Sequence, residues 1–219
     1  MSTARQNPVL LDRLRDEIRR IERRPACREG VLACGRPEID GALPGGGFRR
    51  GGLTELAGGP ASGKTAAALA LFGALPPGEL AAWVDGRGEL YPPAAAALGV
   101  DLARLLVVRP GSRRGAGARG EDPAMAGIWA GEALLASGAF GAVAIDVPLG
   151  AARLRGAETI ARRLQAAVEK GGAIGVWLAE PGSALRLPAA VRLDLGAERP
   201  AALHLRRPGA GRVGGGHAG

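Results

Sequence analysis

The stretch Leu53-Thr-Glu-Leu-Ala-Gly-Gly-Pro-Ala-Ser-Gly-Lys-Thr65 determines how the rest of the chain is expected to fold. It ends in the pattern G-x-x-x-x-G-K-[ST], whose fixed places are filled by Gly58, Gly63, Lys64 and Thr65. The apolar residues before the pattern predict a strand, and the Ala- and Leu-rich residues 64–75 predict a helix. Strand, glycine loop and helix together form the arrangement that cradles phosphate groups. A plain glycine-rich connection, in a chain with 37 glycines, is the alternative.

Two side chains of this loop carry its chemistry. Lys64 is one of only two lysines, the other being Lys170, in a chain that otherwise uses arginine for positive charge. A lysine at this place indicates that a compact point charge is required. In the usual geometry Lys64 contacts the β- and γ-phosphates, and the Thr65 hydroxyl binds Mg²⁺. The sequence therefore predicts binding of ATP with Mg²⁺, whereas hydrolysis is a separate question.

Length and composition exclude several classes of protein. The 219 residues suit one α/β domain with a short appendage, and 47% of them are hydrophobic, which is enough for a core. Cys27 and Cys34 do not form a Cys-x-x-Cys pair, and the only histidines are His204 and His217, so we expect no zinc site. Because no apolar run is long enough to cross a bilayer and no signal-peptide pattern is found, we expect a cytoplasmic protein that does not contact membranes. A net charge of +8 favours acidic partners, although the general preference for arginine makes nucleic acid only one of them.

The chain divides into four predicted parts. Residues 1–25 contain an amphipathic helix over 9–24, residues 26–52 form a linker and entry segment, 53–206 form the core, and 207–219 form a flexible tail. The apolar face of the helix consists of Leu10, Leu11, Leu14, Ile18 and Ile21. This helix packs onto its own domain, docks a partner or neighbouring protomer, or touches DNA with its arginine-rich outer face.

Within the core, strand-like and helix-like runs alternate. The strand-like runs are residues 53–57, 80–85, 104–108, 140–146, 173–179, 190–195 and 201–206. The helix-like runs are residues 64–75, 92–98, 124–137 and 156–169. The alternation predicts an α/β fold with a mostly parallel central sheet and helices on both faces. The last two strand-like runs predict an antiparallel C-terminal edge.

Several motifs resemble the bacterial recombinase RecA in order and spacing. Residues 43–55 and the loop after them are similar to the start of the RecA core. The motifs that follow in the RecA order are Val84-Asp85, 98–102, 140–146 and 191–194. The chain resembles the ImuA family in the motif Leu-Pro-Gly-Gly-Gly, the preceding helix and the short length. ImuA is encoded with ImuB and a second replicative-type polymerase in a damage-induced mutagenesis cassette. The resemblance implies a RecA-like P-loop core, a role in translesion synthesis, and RecA, ImuB and that polymerase as partners.

The same resemblance identifies candidate residues for hydrolysis. Asp146, at the end of an apolar strand, matches the carboxylate that helps to hold Mg²⁺. In RecA a glutamate two residues beyond the aspartate that matches Asp85 orients the attacking water. Arg87 stands at that place here. Glu89, two residues further on, is therefore the candidate catalytic base, at a displaced position.

Two further places depart from RecA. The tyrosine that stacks on adenine falls at Ala94, which leaves Tyr91 as the nearby candidate. The glutamine that senses the γ-phosphate falls near Glu180, where an acid repels phosphate unless it is paired. Since phosphoryl transfer depends on positioning, these departures predict weak ATP hydrolysis or none.

DNA binding is expected to be weak. RecA holds single-stranded DNA with two loops, which resemble residues 147–156, with Arg153 and Arg155, and residues 181–188, with Arg186. Neither segment has an aromatic side chain for base stacking. We therefore expect non-specific, salt-sensitive contact with DNA, and no filament that exchanges strands.

Three functions are compatible with these features. The first is an interaction protein that binds RecA and ImuB and restrains or tunes recombination. The second is a DNA-stimulated ATPase that acts as a recombination mediator with Glu89 as base. The third is a binding module that holds ATP without turnover.

Overall fold

The computed structural model describes residues 30–110, 122–149, 156–181 and 191–196, together with the backbone of 203–206. The strands are β1 (Val31–Leu32), β2 (Phe48–Arg49), β3 (Leu53–Ala57), β4 (Leu80–Asp85), β5 (Leu105–Val108), β6 (Phe140–Asp146), β7 (Ile174–Ala179), β8 (Val191–Leu195) and β9 (Leu203–Arg206). The helices are α1 (Pro37–Asp40), α2 (Lys64–Gly73), α3 (Pro92–Ala97), α4 (Pro123–Ala136) and α5 (Ala157–Gly171), with a 3₁₀ turn at Leu102–Arg104. From β3 onward, the predicted bounds differ from these by at most two residues at either end.

The central sheet has seven strands in the order β5-β4-β6-β7-β3-β8-β9. All pairs from β5 to β8 are parallel, and β9 is antiparallel to β8, which confirms the predicted sheet and its C-terminal edge. The next strand along the chain after β3 is β4, which lies three places away in the sheet. As a result, the carboxyl ends of β4, β6, β7 and β3 follow one another along one edge, where open α/β sheets bind ligands.

Helices cover both faces of this sheet, as the sequence predicts. Successive strand residues face opposite sides, so on β4 Trp83 belongs to one core and Val84 to the other. Helices α2 and α3 pack with Trp83, whereas α4 and α5 pack with Val84. Burial on both faces explains why these strands consist of nearly continuous apolar residues.

The segment expected to be a linker is packed against the core over its described part, residues 30–52. Phe48 in β2 is 0% exposed, and β2 pairs with β1 in a small antiparallel sheet. Arg50 donates two hydrogen bonds of 3.1 Å to the Glu79 carboxylate. Glycines interrupt the apolar residues of this segment, so its sequence has no strand or helix period. The predicted N-terminal helix and the predicted tail lie outside the described residues.

Candidate nucleotide site

The phosphate-type loop connects β3 to α2, as predicted. A Cβ atom on Gly58 would lie 2.6 Å from the Ser62 Cβ atom and 2.8 Å from the Leu195 carbonyl oxygen, so only glycine fits there. Gly63, directly before α2, has φ 87°, and Ala61 has φ 59°. A left-handed conformation at a non-glycine residue is strained and persists only where its surroundings enforce it. The loop is therefore a tightly folded turn.

Donor groups of the loop are arranged around its interior. The Lys64 ammonium donates to the Gly58 carbonyl oxygen at 2.7 Å, so the side chain lies over its own loop. The first N–H groups of α2 have no partner within the helix, which leaves them for an anion. Ser62 Oγ is buried, and no residue of the described part accepts from it or donates to it. A buried hydroxyl of this kind is costly, and a phosphate oxygen would satisfy it. These residues fit a phosphate group.

Arg87 occupies the edge of the sheet beside this loop. Its Nε atom donates to Asp146 Oδ1 at 2.9 Å, and its Nη2 atom lies 2.7 Å from Glu180 Oε1. Arg87 stands where RecA has an acid, and Glu180 stands where RecA has an amide. These two departures from the RecA pattern thus form one ion pair. Glu180 is paired, which is the condition under which an acid was expected to be tolerated there.

The charges around Asp146 oppose one another. Burial raises the pKa of Asp146, and the positive charges of Arg87 and Lys64 pull it back only in part. Burial lowers the pKa of Arg87, but Asp146 and Glu180 outweigh this effect and leave that pKa raised. Arg87 is therefore a permanent cation held by two carboxylates.

A second network holds the loop that carries Arg87. The Asp85 carboxylate is buried and accepts from the backbone N–H groups of Glu89 and Leu90 and from Arg109 Nε, the last at 2.8 Å. Gly86 donates its N–H to the Asp146 carbonyl at 2.8 Å. Hydrogen bonds to the ends of β4 and β6 thus hold the residues on both sides of Arg87. Asp85 is predicted from the sequence only as part of a motif, and the sequence offers no signal for Arg109.

The other candidate side chains are exposed or lie outside the described residues. The Glu89 side chain is exposed, and only its backbone takes part in the Asp85 network. Tyr91 is 66% exposed and precedes α3 as its N-cap residue. The candidate DNA contacts Arg153, Arg155 and Arg186 lie outside the described residues, as do the predicted docking residues Leu10, Leu14, Ile18 and Ile21.

The carboxylate needed for Mg²⁺ does not fit a metal in this arrangement. Thr65 is exposed beside the loop, but the Asp146 carboxylate is already bound by Arg87 at 2.9 Å. Among the described residues, no group of three or more His, Cys, Asp or Glu side chains could hold a metal ion. The loop residues fit the phosphate half of an ATP–Mg²⁺ site, whereas a guanidinium group holds the carboxylate expected for the metal half.

A separate groove of about 700 Å³ lies between α4, α5 and the end of β5. Its lining includes Met125, Trp129 and Ile160, and no residue of the phosphate-type loop. Trp129 is 67% exposed.

None of the described helices is long and apolar enough to cross a membrane.

A mostly parallel sheet, a glycine loop after the inner strand β3 and a helix starting at the loop lysine define a P-loop fold of the RecA class. The family model of the RecA N-terminal domain matches residues 15–151. This match covers more than half of the 219 residues, so the chain belongs to the RecA N-terminal domain family.

Individual relatives come from two groups of proteins. RecA of Salinispora arenicola is 42% identical over 94 residues, which are 42% of this chain and 27% of that protein. ImuA of Caulobacter vibrioides is 36% identical over 156 residues, 68% of this chain and 57% of that protein. RecA of Streptococcus gordonii is 36% identical over 130 residues, 59% of this chain and 31% of that protein. The chain therefore spans between about a quarter and three fifths of these relatives.

Proposed function

We propose that this chain is a RecA-like accessory protein of damage-induced mutagenesis that binds RecA and the polymerase-like protein ImuB. In this role it restrains or tunes recombination during translesion synthesis in the cytoplasm, and it hydrolyses ATP weakly or not at all. The similarity to ImuA over 68% of the chain supports the place in mutagenesis. The observation that carries the proposal is the Arg87 bridge to Asp146 and Glu180.

The bridge is relevant because phosphoryl transfer needs a positioned base and a metal ion. Arg87 stands at the place of the base and holds the carboxylate expected to bind the metal. Glu89 is the remaining candidate base, and its side chain is exposed beyond the anchored loop. A core of this kind keeps the shape of a recombinase without its turnover, which favours an interaction protein over a motor.

The docking element in this proposal is the helix predicted over residues 9–24. Its apolar face, with Leu10, Leu14, Ile18 and Ile21, would contact RecA or ImuB, and the second polymerase of the cassette is a further candidate partner. The core, residues 53–206, would supply the rest of the surface, and the tail, 207–219, no ordered contact.

A phosphate-release assay tests the enzymatic part. Purified protein with Mg²⁺-ATP, with and without single-stranded DNA, is expected to release little phosphate, because the candidate base is displaced and Arg87 holds the candidate metal ligand Asp146. Glu89→Ala is expected to leave this low rate unchanged. Turnover comparable to a working recombinase, lost in Glu89→Ala, would instead favour the DNA-stimulated ATPase.

A binding assay tests the partners. Deletion of residues 1–25 is expected to lower affinity for RecA and ImuB, and damage-induced mutation frequency is expected to fall with it. Leu14→Ala with Ile18→Ala should reproduce the loss, whereas the control Arg15→Ala with Arg19→Ala, on the outer face, should not. Unchanged affinity after the deletion would remove the helix from the proposed function. Lys64→Ala that leaves binding and mutagenesis intact would exclude gating by ATP.

A further inference from the structure

The guanidinium group of Arg87 lies at the position where the sheet edge meets the phosphate-type loop. The carboxyl ends of β4, β6, β7 and β3 are neighbours in that order. Asp85 is opposite Asp146, and Ala57 is opposite Ala179, whose carbonyl accepts the Gly58 N–H at 3.1 Å. Glu180 therefore follows directly on the residue that contacts the start of the loop.

Arg87 crosses from β4 to β7 to reach this place. Strands are spaced about 4.8 Å apart, so contact with Glu180 requires the arginine to span about 10 Å of sheet edge. Its two carboxylate contacts, at 2.9 and 2.7 Å, are consistent with such an extended side chain. The guanidinium group of Arg87 therefore lies next to the phosphate-type loop, and not beside β4, the strand that precedes Arg87.

The two arms of the bridge differ in their exposure. The Asp146 side chain is 10% exposed and the Arg87 side chain 19%, whereas the Glu180 side chain is 46% exposed. Solvent screens the Glu180 arm much more than the Asp146 arm. An incoming anion would therefore replace Glu180 at Arg87 more easily than it would replace Asp146.

A divalent cation would have to displace the buried arm. Mg²⁺ requires nearly ideal octahedral oxygen ligands and gives up its water reluctantly. To use Asp146, it would have to remove the charge-assisted hydrogen bond from Arg87 and leave two cations side by side in a largely buried place. Arginine, in contrast, recognises phosphate oxygens directly through its planar set of donors.

We propose that Arg87 replaces the divalent cation of this site, so that the loop binds a polyphosphate without Mg²⁺, and that Glu180 is the carboxylate that a phosphate oxygen displaces. The ligand class is a metal-free nucleoside triphosphate or another linear polyphosphate. Lys64 and Arg87 together supply its counter-charge. This proposal rests on the nucleotide site of the proposed function and not on its partners.

Calorimetric titration of the full chain with ATP and with inorganic tripolyphosphate tests the proposal. Affinity in EDTA is expected to equal or exceed that in excess Mg²⁺, since no metal ligand has to form and Mg²⁺ in solution competes with the site for the polyphosphate. Arg87→Gln should lower affinity in EDTA at least about tenfold, as expected for loss of one charge-assisted hydrogen bond. In Mg²⁺ the same variant should recover part of this loss, because Asp146 is released for the metal.

Two further variants complete the design. Glu180→Gln should bind polyphosphate more tightly than the unmodified chain, because the competing carboxylate is gone, and its fold should be unaffected since that arm is exposed. Lys64→Ala should lose binding under both conditions. An affinity that falls more than about tenfold in EDTA, or an absence of polyphosphate binding in any buffer, overturns the proposal. Failure of the proposed function would show itself separately, as absent binding to RecA and ImuB.

Discussion

Residue identity matters most at Gly58 and at Arg87, and for opposite reasons. At Gly58 nothing larger than hydrogen fits, because Ser62 and the Leu195 carbonyl close the space. At Arg87 a long cation is required to reach both Asp146 and Glu180 from the end of β4. The phosphate-type loop itself thus requires glycine at position 58, whereas the arginine at position 87 changes which ligands that loop can bind.

The two adjacent glycines of the loop provide a direct comparison. Gly58→Ala is expected to lower the free energy of unfolding by about 1–3 kcal/mol, because the added methyl overlaps Ser62 and backbone. It should also abolish polyphosphate binding. Gly59→Ala is the control, because its Cβ would meet no atom within 4 Å and its φ is not positive. Urea denaturation and calorimetric titration measure both effects, and equal losses in the two variants would contradict the prediction.

Cys34 gives a pH-dependent prediction. Burial raises the pKa of its thiol from 9.0 to about 12. Below about pH 8 the thiol is neutral in both states, so it adds no pH dependence. Above that pH only the unfolded thiol ionises, so the folded state loses about 1 kcal/mol relative to a Cys34→Ala variant between about pH 8.5 and 10. Urea denaturation of both proteins in a Cys27→Ser background measures the difference, and parallel pH profiles would contradict it.

At the scale of elements, buried ion pairs join segments that are distant in sequence. Arg50, after β2, pairs with Glu79, before β4, and Arg192 in β8 donates to Glu55 in β3 at 2.7 Å. In both pairs the glutamate side chain is nearly buried. Such pairs contribute little when intact but are costly to break, so they fix which segments pack together.

Two bidentate arginine–glutamate pairs test this difference. Arg50→Met is expected to lower the free energy of unfolding by about 3 kcal/mol, because Glu79 would lose its arginine in a buried place. Arg163→Met is the matched control, since its pair with Glu132 joins α4 and α5 at the surface. It should cost less than about 1 kcal/mol. Urea denaturation measures both, and similar losses would show that burial is not the deciding factor.

At the scale of the whole molecule, positive charge is plentiful, and in the described part of the chain much of it is paired. The net charge is +8, yet arginines 50, 87, 104, 109, 163 and 192 all contact carboxylates in the described part of the chain. Affinity for nucleic acid is set by the charges that remain for phosphate groups. The predicted contacts Arg153, Arg155 and Arg186, which lie outside the described residues, are the ones to test.

Binding to single-stranded DNA is expected to be weak and strongly dependent on salt. Three phosphate contacts give a log–log slope of about −2, so affinity should fall about 20-fold between about 50 and 200 mM salt. Replacing the three arginines by alanine should remove most of this slope. The control replaces Arg36, Arg162 and Arg163, which are exposed elsewhere. Fluorescence anisotropy over a salt series measures the slope, and the same slope in both triple variants would place the DNA contact elsewhere.

The sequence by itself was sufficient for the elements of the core and for the phosphate-type loop. Apolar runs of strand length, a motif of fixed spacing and helix-forming Ala-rich segments are local signals, so the predicted bounds lie close to the observed ones. The packing of residues 30–52 could not be predicted, because Phe48 and Arg50 are held by partners far along the chain.

What only the tertiary structure decided is the meaning of two departures from the RecA pattern, Arg87 and Glu180. Arg87, Asp146 and Glu180 each stood alone in the sequence, where an acid near phosphate suggested repulsion. The strand order brings the ends of β4, β6 and β7 together, and there the three side chains neutralise one another in part. Strand order depends on how distant segments pack, and no local pattern encodes it. The sequence therefore determined that a phosphate-type loop exists, and the sheet decided that a guanidinium group holds the two carboxylates at the strand ends near it.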